Sequence, residues 1–242
     1  MTIFPKIIAH RGNSALCHEN TMAAFERAVA DGADGIEFDL RLTKDRRWVI
    51  HHDADIPVDG RRRLIMQMTV KEISAVRVGP KTDPIPTLTE FLGWAKSRDI
   101  RLVFDIKDTG GIPELIAAVE AAAPPQPPVF SAFRRSVLRD IRRQRPDWKI
   151  ALIVGGVRSA LARRLWLGAI LRWARRHNLH ALHLHERWVT LTTIARVKDA
   201  GLNLAVWTVD DPARVAVLAA LGVDSIITNR PDVGTKTVKA LA

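Results

Sequence analysis

Two hydrophobic periods take turns along this chain. Short aliphatic and β-branched runs predict strands at Lys6–His10, Gly35–Leu40, Arg101–Lys107, Pro128–Phe133, Lys149–Val154, Ala181–His185, Asn203–Val209 and Asp224–Thr228. Between them, apolar residues spaced i, i+3, i+4, i+7 predict helices over Asn20–Ala30, Leu88–Ser97, Pro113–Ala123, Ser136–Gln144, Ser159–Arg176, Thr190–Ala200 and Pro212–Leu221. Gly32, Gly201 and Gly222 each close a helical pattern just ahead of a strand. Strands that alternate with helices pair in parallel through crossover connections. Five or six such units would make an open doubly wound sheet, whereas about eight close a barrel. The expected fold class is therefore α/β, a (β/α)8 TIM barrel, in one domain over residues 1–242.

One stretch breaks the alternation. Thr43–Arg47 is polar and leads into Trp48-Val49-Ile50-His51-His52 with no helical period between. That pattern predicts a hairpin projecting from the second strand rather than another barrel strand. The region from about 53 to 86, with turn signals at Asp59-Gly60 and Gly79-Pro80, becomes a small insertion after strand two. Loops after the strands are where a barrel keeps its active site.

Composition narrows the class without choosing a function. Hydrophobic residues at 47% and charged residues at 26% exclude a disordered, collagen-like or coiled-coil chain. The single cysteine, Cys17, excludes an internal disulfide framework and a four-cysteine zinc site. No apolar run approaches the roughly 20 residues of a membrane-spanning helix, and no signal peptide is visible, so a cytoplasmic location is expected. The formal charge of +11 favours polyanionic partners: nucleic acid, an anionic membrane surface or phosphate-bearing substrates. Arginine pairs on helices are more often a solvated face than a binding stripe, and nucleic acid is not the expected partner.

The chemistry gathers at the predicted strand ends. Strand one ends in His10-Arg11-Gly12. Strand two carries Glu37 and Asp39, and strand three carries Asp105 and Lys107. Residues two apart leave the same face of a strand. Carboxylates set among apolar strand residues must be paired or metal-bound, because an isolated buried charge is very costly. A structural ion-pair network with Arg11 and Lys107 would satisfy them but leaves His10 and His52 unexplained. A hard divalent cation held by Glu37, Asp39 and Asp105 explains both. With Arg11 and Lys107, such a cation would neutralise a phosphoryl oxygen, and the two histidines would serve as general base and general acid.

The chain resembles the glycerophosphodiester phosphodiesterase family. The resemblance runs through His10-Arg11-Gly12, then Glu19-Asn20-Thr21, Ala24-Phe25 and Ala28, then Gly32 to Asp39. It continues through Thr43-Lys44-Asp45, His52-Asp53, Ile85-Pro86-Thr87-Leu88, Asp105-Ile106-Lys107, Trp207-Thr208-Val209 and Thr228-Asn229-Arg230-Pro231. It implies a (β/α)8 barrel that hydrolyses glycerophosphodiesters to an alcohol and glycerol 3-phosphate with one divalent cation, Mg²⁺ or Ca²⁺, with Mn²⁺ as a further candidate. By resemblance His10 and His52 are the acid–base pair, Glu37 and Asp39 ligate the metal, and Asp105 stands at the third ligand position. Arg11 and Lys107 contact phosphate, and Trp207 is a wall of the substrate site.

Three positions depart from the family pattern. Asp105 replaces a more usual Glu, about one methylene longer, which sets the ion deeper or adds a water. Sphingomyelinase D-like barrels carry Asp there, which keeps a lysophospholipase D or sphingomyelinase D-like activity on lipid in view. His18 stands where Pro is common before Glu19, and Arg46 stands where the hairpin turn usually has Gly. A catalytically idle basic binding protein is the rival of another class. His51, on the opposite face from His52, is expected to pack or meet solvent, and His183 and His185 are expected to be structural. Glu19 is expected to orient the glycerol or His10, or to open the first helix with Asn20 as its cap.

The run from Leu161 to Arg176 has two tryptophans and five arginines. On a helical wheel Leu161, Leu165, Ile170 and Trp173 face the core, and Trp166 falls near the arginines. The bland expectation is a crossover helix with a solvated arginine face. The functional one is contact with an anionic membrane, which would bring lysophospholipid to the site.

Overall fold

The computed structural model describes residues 4–80, 82–155 and 160–241, with side chains at 160–164 outside the description. Eight parallel strands form a closed barrel: β1 Lys6–His10, β2 Gly35–Leu42, β3 Arg101–Ile106, β4 Val129–Ala132, β5 Lys149–Val154, β6 Ala181–His185, β7 Asn203–Trp207 and β8 Ser225–Thr228. Closure comes from β1, which pairs with β8 on one side and β2 on the other. The outer helices are α1 Met22–Ala30, α2 Val70–Ser74 within the insertion, α3 Leu88–Ala95, α4 Ile112–Ala122, α5 Arg135–Gln144, α6 Ala160–Arg176, α7 Leu191–Asp199, α8 Pro212–Ala220 and α9 Pro231–Lys239.

Strand alternation sorts the side chains. Along β2, Phe38 faces the helices and is fully buried, as is Phe104 on β3. They join Phe25, Phe91 and Phe130 in a chain of tilted and edge-on ring contacts. Each fully buried phenylalanine contributes roughly 1.5–3 kcal/mol. The interior face packs a small cluster of Ile8, Val103, Ala205 and Ile227. Further along β2 and β3 the inward positions are taken by Glu37, Asp39 and Asp105, so acids take the place of a hydrophobic layer toward the catalytic end.

The hairpin forms as expected: Trp48–Ile50 runs antiparallel to β2, with Leu42 opposite Trp48. Arg46 adopts the left-handed conformation (φ 57°) that glycine would take more cheaply. Its guanidinium pairs with Glu114, with Nη2 to Oε2 at 3.0 Å. The insertion folds around its own apolar group of Val49, Ile56, Ile65, Met68, Ile73, Val76 and Ile85.

Two expectations need correction, and one helix goes beyond those predicted. Thr21, not Asn20, caps α1, its hydroxyl accepting from the Ala24 N–H. Asn20 turns inward with φ 59° and goes to the acid cluster. Leu165 does not face the core: it is 67% exposed, while Leu167, Ile170, Leu171 and Ala174 form the buried stripe. Leu165 lies about 120–180° around the helix from these, hence on the outer side. Ser159 and the Leu161 side chain lie outside the described residues. Finally, α9 carried no clear apolar period, because its buried face consists of Pro231, Gly234 and Thr235. A Cβ at Gly234 would stand 3.3 Å from Ile7, so this helix seats on β1 through a small residue.

Candidate active site

Register does the assembly. His10 on β1 is the partner of Glu37 on β2, and Asp39 is the partner of Asp105 on β3. The carboxylates of Glu37, Asp39 and Asp105 each offer an oxygen within 4.8 Å of the others, and all three are buried. Lys107, just past the end of β3, sets its ammonium 2.8 Å from Asp39 and in contact with Asp105. Arg11 Nε is 3.0 Å from Asp39, and its backbone N–H donates to Glu37 at 3.2 Å.

Burial drives the Glu37 carboxyl well above its ordinary range, and the neighbouring Asp39 and Asp105 push the same way. Burial and Asp39 also raise Asp105 against the pull of Lys107. Asp39 alone is held low, because Lys107, Arg11 and the Asn20 amide outweigh its burial. Three adjacent acids with two resident cations are thus short of positive charge. Asp105 Oδ1 is buried without a hydrogen-bond donor. An all-oxygen donor set with an orphaned lone pair fits a hard divalent cation, and Glu37, Asp39 and Asp105 are the residues that would hold it.

His10 is fixed by a relay that residue-by-residue reading missed. Its Nδ1 lies 2.7 Å from Asn229 Oδ1, while Asn229 Nδ2 donates to Asp210 at 2.7 Å. Since the Asn229 oxygen can only accept, His10 Nδ1 carries the proton and Nε2 presents a lone pair, 4.0 Å from Glu37. Asp210 also accepts from the Asn229 backbone N–H and the Thr228 hydroxyl. Burial, then Arg11, lowers the basicity of His10 and keeps it neutral. The only sequence signal for this relay was a polar Asn immediately after the last strand.

His52 lies at the mouth, with Nδ1 2.9 Å from Asp53 Oδ1. That hydrogen bond is the main reason the Asp53 carboxyl stays below its ordinary range. A cavity of about 110 Å³ joins His10, Arg11, Glu37, His52, Asp105, Lys107, Phe133, His183 and Trp207. His51 does not line it; its backbone N–H donates to Asp39 O and burial holds its imidazole neutral. Trp207 anchors its indole N–H on His183 O at 3.0 Å and stands edge-on to Phe133 at 5.8 Å. Phe133, a wall residue not anticipated from sequence, is half exposed. His185 accepts from the Arg187 N–H and packs on Trp207, a structural role. His183 is buried between the cavity and the barrel interior. Glu19 grips Arg11 through both oxygens at 2.8 and 2.9 Å, so it orients the arginine rather than His10.

A parallel barrel with an acid cluster, two cations and two histidines at the strands' C-terminal end defines a phosphate-ester hydrolase of the TIM-barrel class. The sequence model of the glycerophosphoryl diester phosphodiesterase family matches residues 10–233, and the chain belongs to that family, whose members are phosphoric diester hydrolases. It is 32% identical to a glycerophosphodiester phosphodiesterase of Caldanaerobacter subterraneus over 93% of this chain and 94% of that one. It is 31% identical to a putative glycerophosphodiester phosphodiesterase of Bacillus subtilis over 93% and 95%. Its fold matches a phosphodiesterase of Oleispira antarctica solved with the product sn-glycerol-3-phosphate, with a TM-score of 0.85 at 23% identity, covering 98% and 97% of the two chains.

Proposed function

We propose that this chain hydrolyses glycerophosphodiesters to an alcohol and glycerol 3-phosphate, as a single domain that needs one divalent cation, Mg²⁺ or Ca²⁺, with Mn²⁺ able to substitute. The observation that carries the reading is the convergence of Glu37, Asp39 and Asp105 between His10 and His52 in one cavity. The cation would supply charge for the phosphoryl oxygens in the transition state. Arg11 and Lys107 bind the remaining phosphate oxygens. His10, with its Nε2 lone pair free, takes the proton from the attacking hydroxyl: that of water directly, or first that of the substrate's own glycerol, after which water opens the resulting cyclic phosphate to glycerol 3-phosphate. His52, paired with Asp53, donates a proton to the leaving oxygen. Trp207 and Phe133 form an apolar wall for the carbon skeleton.

Lysophospholipase D or sphingomyelinase D-like cleavage of a lipid is the second reading, favoured by Phe133, 50% exposed at the mouth. A catalytically idle protein would have no use for a relay that fixes the His10 tautomer. Among the described residues, no helix is long and apolar enough to cross a membrane.

The test is a panel from glycerophosphocholine to lysophospholipid, with release of glycerol 3-phosphate measured in cation and in chelator. Cation-dependent release from the soluble diester is expected. Release of choline phosphate instead, or no turnover of any diester with metal present, overturns the reading.

A further inference from the structure

The net positive charge of this protein is confined to one segment. Residues 134–176 contain thirteen arginines and lysines against two acids, Asp140 and Asp147, while the rest of the chain has 24 of each sign. The whole surplus of +11 therefore belongs to α5, β5, α6 and their connections. The two helices are neighbours on the barrel wall. Arg142 on α5 donates to the carbonyls of His177 and Asn178 at the end of α6, and the Arg135 guanidinium lies 4.9 Å over the Trp173 ring.

Part of this charge is spent within the fold. Arg143 meets Asp140, Arg145 meets Glu120 and Asp147, and Arg175 donates to the Asp199 carbonyl. Arg134, Arg139, Arg172 and Arg176 are exposed and, among the described residues, have no carboxylate at ion-pair distance. His177, between the helices, shows how the charges sum: after burial, Arg176, Arg139 and Arg135 are what disfavour its imidazolium. Uncompensated like charge on one wall costs the folded state unless an anion answers it.

Exposed apolar side chains edge the same wall. Leu165, Arg172 and Arg176, spaced seven and four apart, share the outer face of α6. Leu165 is 67% exposed, Trp166 59%, and Leu191 at the start of α7 70%. Helices α6 and α7 lie side by side, since a Cβ at Gly168 would stand 3.4 Å from the Arg196 guanidinium. The first turns of α6 and α7 are at the catalytic end of the barrel, where Phe133 opens to solvent directly before Arg134. Nucleic acid would use the arginines and a tryptophan, but it has no use for protruding leucines. The boundary of headgroups and acyl chains takes both.

We propose that the α5–α6 wall, with Leu165, Trp166 and Leu191 along its catalytic edge, docks on an anionic lipid surface and brings the Phe133 lip of the active site to the headgroup layer. The consequence for substrate rests on this cavity being the phosphodiesterase site; the docking itself does not.

Two readouts separate the claims. Flotation with vesicles of pure phosphatidylcholine and of phosphatidylcholine mixed equally with phosphatidylglycerol measures docking. Turnover of glycerophosphocholine in solution measures the site alone. Binding is expected only with the anionic vesicles and weakens as salt rises. Loss of one basic contact lowers partitioning about five-fold, so Arg139→Glu with Arg172→Glu lowers it at least about 25-fold. Leu165→Ser with Trp166→Ser weakens binding at moderate salt, and both double variants turn over glycerophosphocholine like the parent. No binding to anionic vesicles at low salt overturns the proposal. So does unchanged binding by Arg139→Glu/Arg172→Glu, or tighter binding to a duplex DNA than to anionic vesicles. An enzyme without diester turnover that still binds these vesicles would keep the docking surface and remove the phosphodiesterase reading.

Discussion

The two ends of this barrel are built from the same eight strands, yet only one is equipped for chemistry. The N-terminal end opens into the larger cavity, about 760 Å³, edged by Lys6, Arg101, Lys149, His180, Lys198 and Asp224. The C-terminal end offers about 110 Å³. Size points to the wrong end. At the N-terminal end the charges stand at exposed strand starts, where water solvates them. At the C-terminal end three carboxylates share a buried space, and burial lifts two of them out of their ordinary range. Catalytic potential follows confined, incompletely matched charge rather than volume.

Removing the cation should have the largest effect on this contrast. Excess chelator should abolish turnover, and Mg²⁺, Mn²⁺ or Ca²⁺ should restore it; full activity in chelator would mean that Lys107 and Arg11 suffice. Asp105→Ala should be nearly inactive, whereas Asp105→Glu should stay active with a changed metal preference in a titration of each ion.

The histidines come next. His10→Ala and His52→Ala should each lose about 10²–10⁴-fold in kcat, the usual share of a general acid or base. His51→Ala should keep most activity. An essential His51 would shift the hairpin register by one residue. Asn229→Ala should cost less, about 10–100-fold, in line with losses on removing a group that orients a functional imidazole. It frees the second His10 tautomer, so its kcat–pH profile should move while KM changes little; an unmoved profile would reduce Asn229 to a structural role.

Acid titration of stability probes the interior that separates the two ends. Burial lowers His183 from 6.5 to about 4. Between those values the unfolded chain holds the proton and the folded chain does not, so stability is full above pH 6.5 and declines as pH falls toward 4. The loss integrates to roughly 3 kcal/mol at 1.36 kcal/mol per unit. The buried carboxyls of Asp105 and Glu37, raised rather than lowered, titrate with the opposite sign in this range, so urea unfolding at several pH values should show the His183 slope as the difference between the parent and His183→Leu. The smallest effect belongs to the N-terminal mouth: Lys149→Ala and Arg101→Ala should leave kcat/KM within about two-fold, typical of surface changes away from a site. A large loss there would end the comparison.

Much of the site is legible in the sequence. Glu37 and Asp39, and likewise Asp105 and Lys107, are two apart on strands, so their common face followed from the pleat alone. The apolar runs, the glycine stops and the hairpin from Leu42 to Trp48 were equally local. The exceptions share a cause: Asn20 read as a helix cap and Glu19 as a partner of His10, because local propensity says nothing about a residue's partner across the barrel. Asn20 instead donates to Asp39 at 2.8 Å, and Glu19 holds Arg11.

What the sequence by itself determined was the order and period of the elements, and which strand faces carry acid, base and cation, because these depend on residues a few positions apart. Only the tertiary structure decided the rest. Barrel register set His10 beside Glu37 and Asp39 beside Asp105, from 27 and 66 positions apart in the chain. Closure of β8 onto β1 brought Asn229 to His10 across 219 residues and chose its tautomer. Packing turned Leu165 outward beside Arg172, because the buried stripe of α6 is selected by its neighbours on the barrel wall, and that selection is a property of the whole fold.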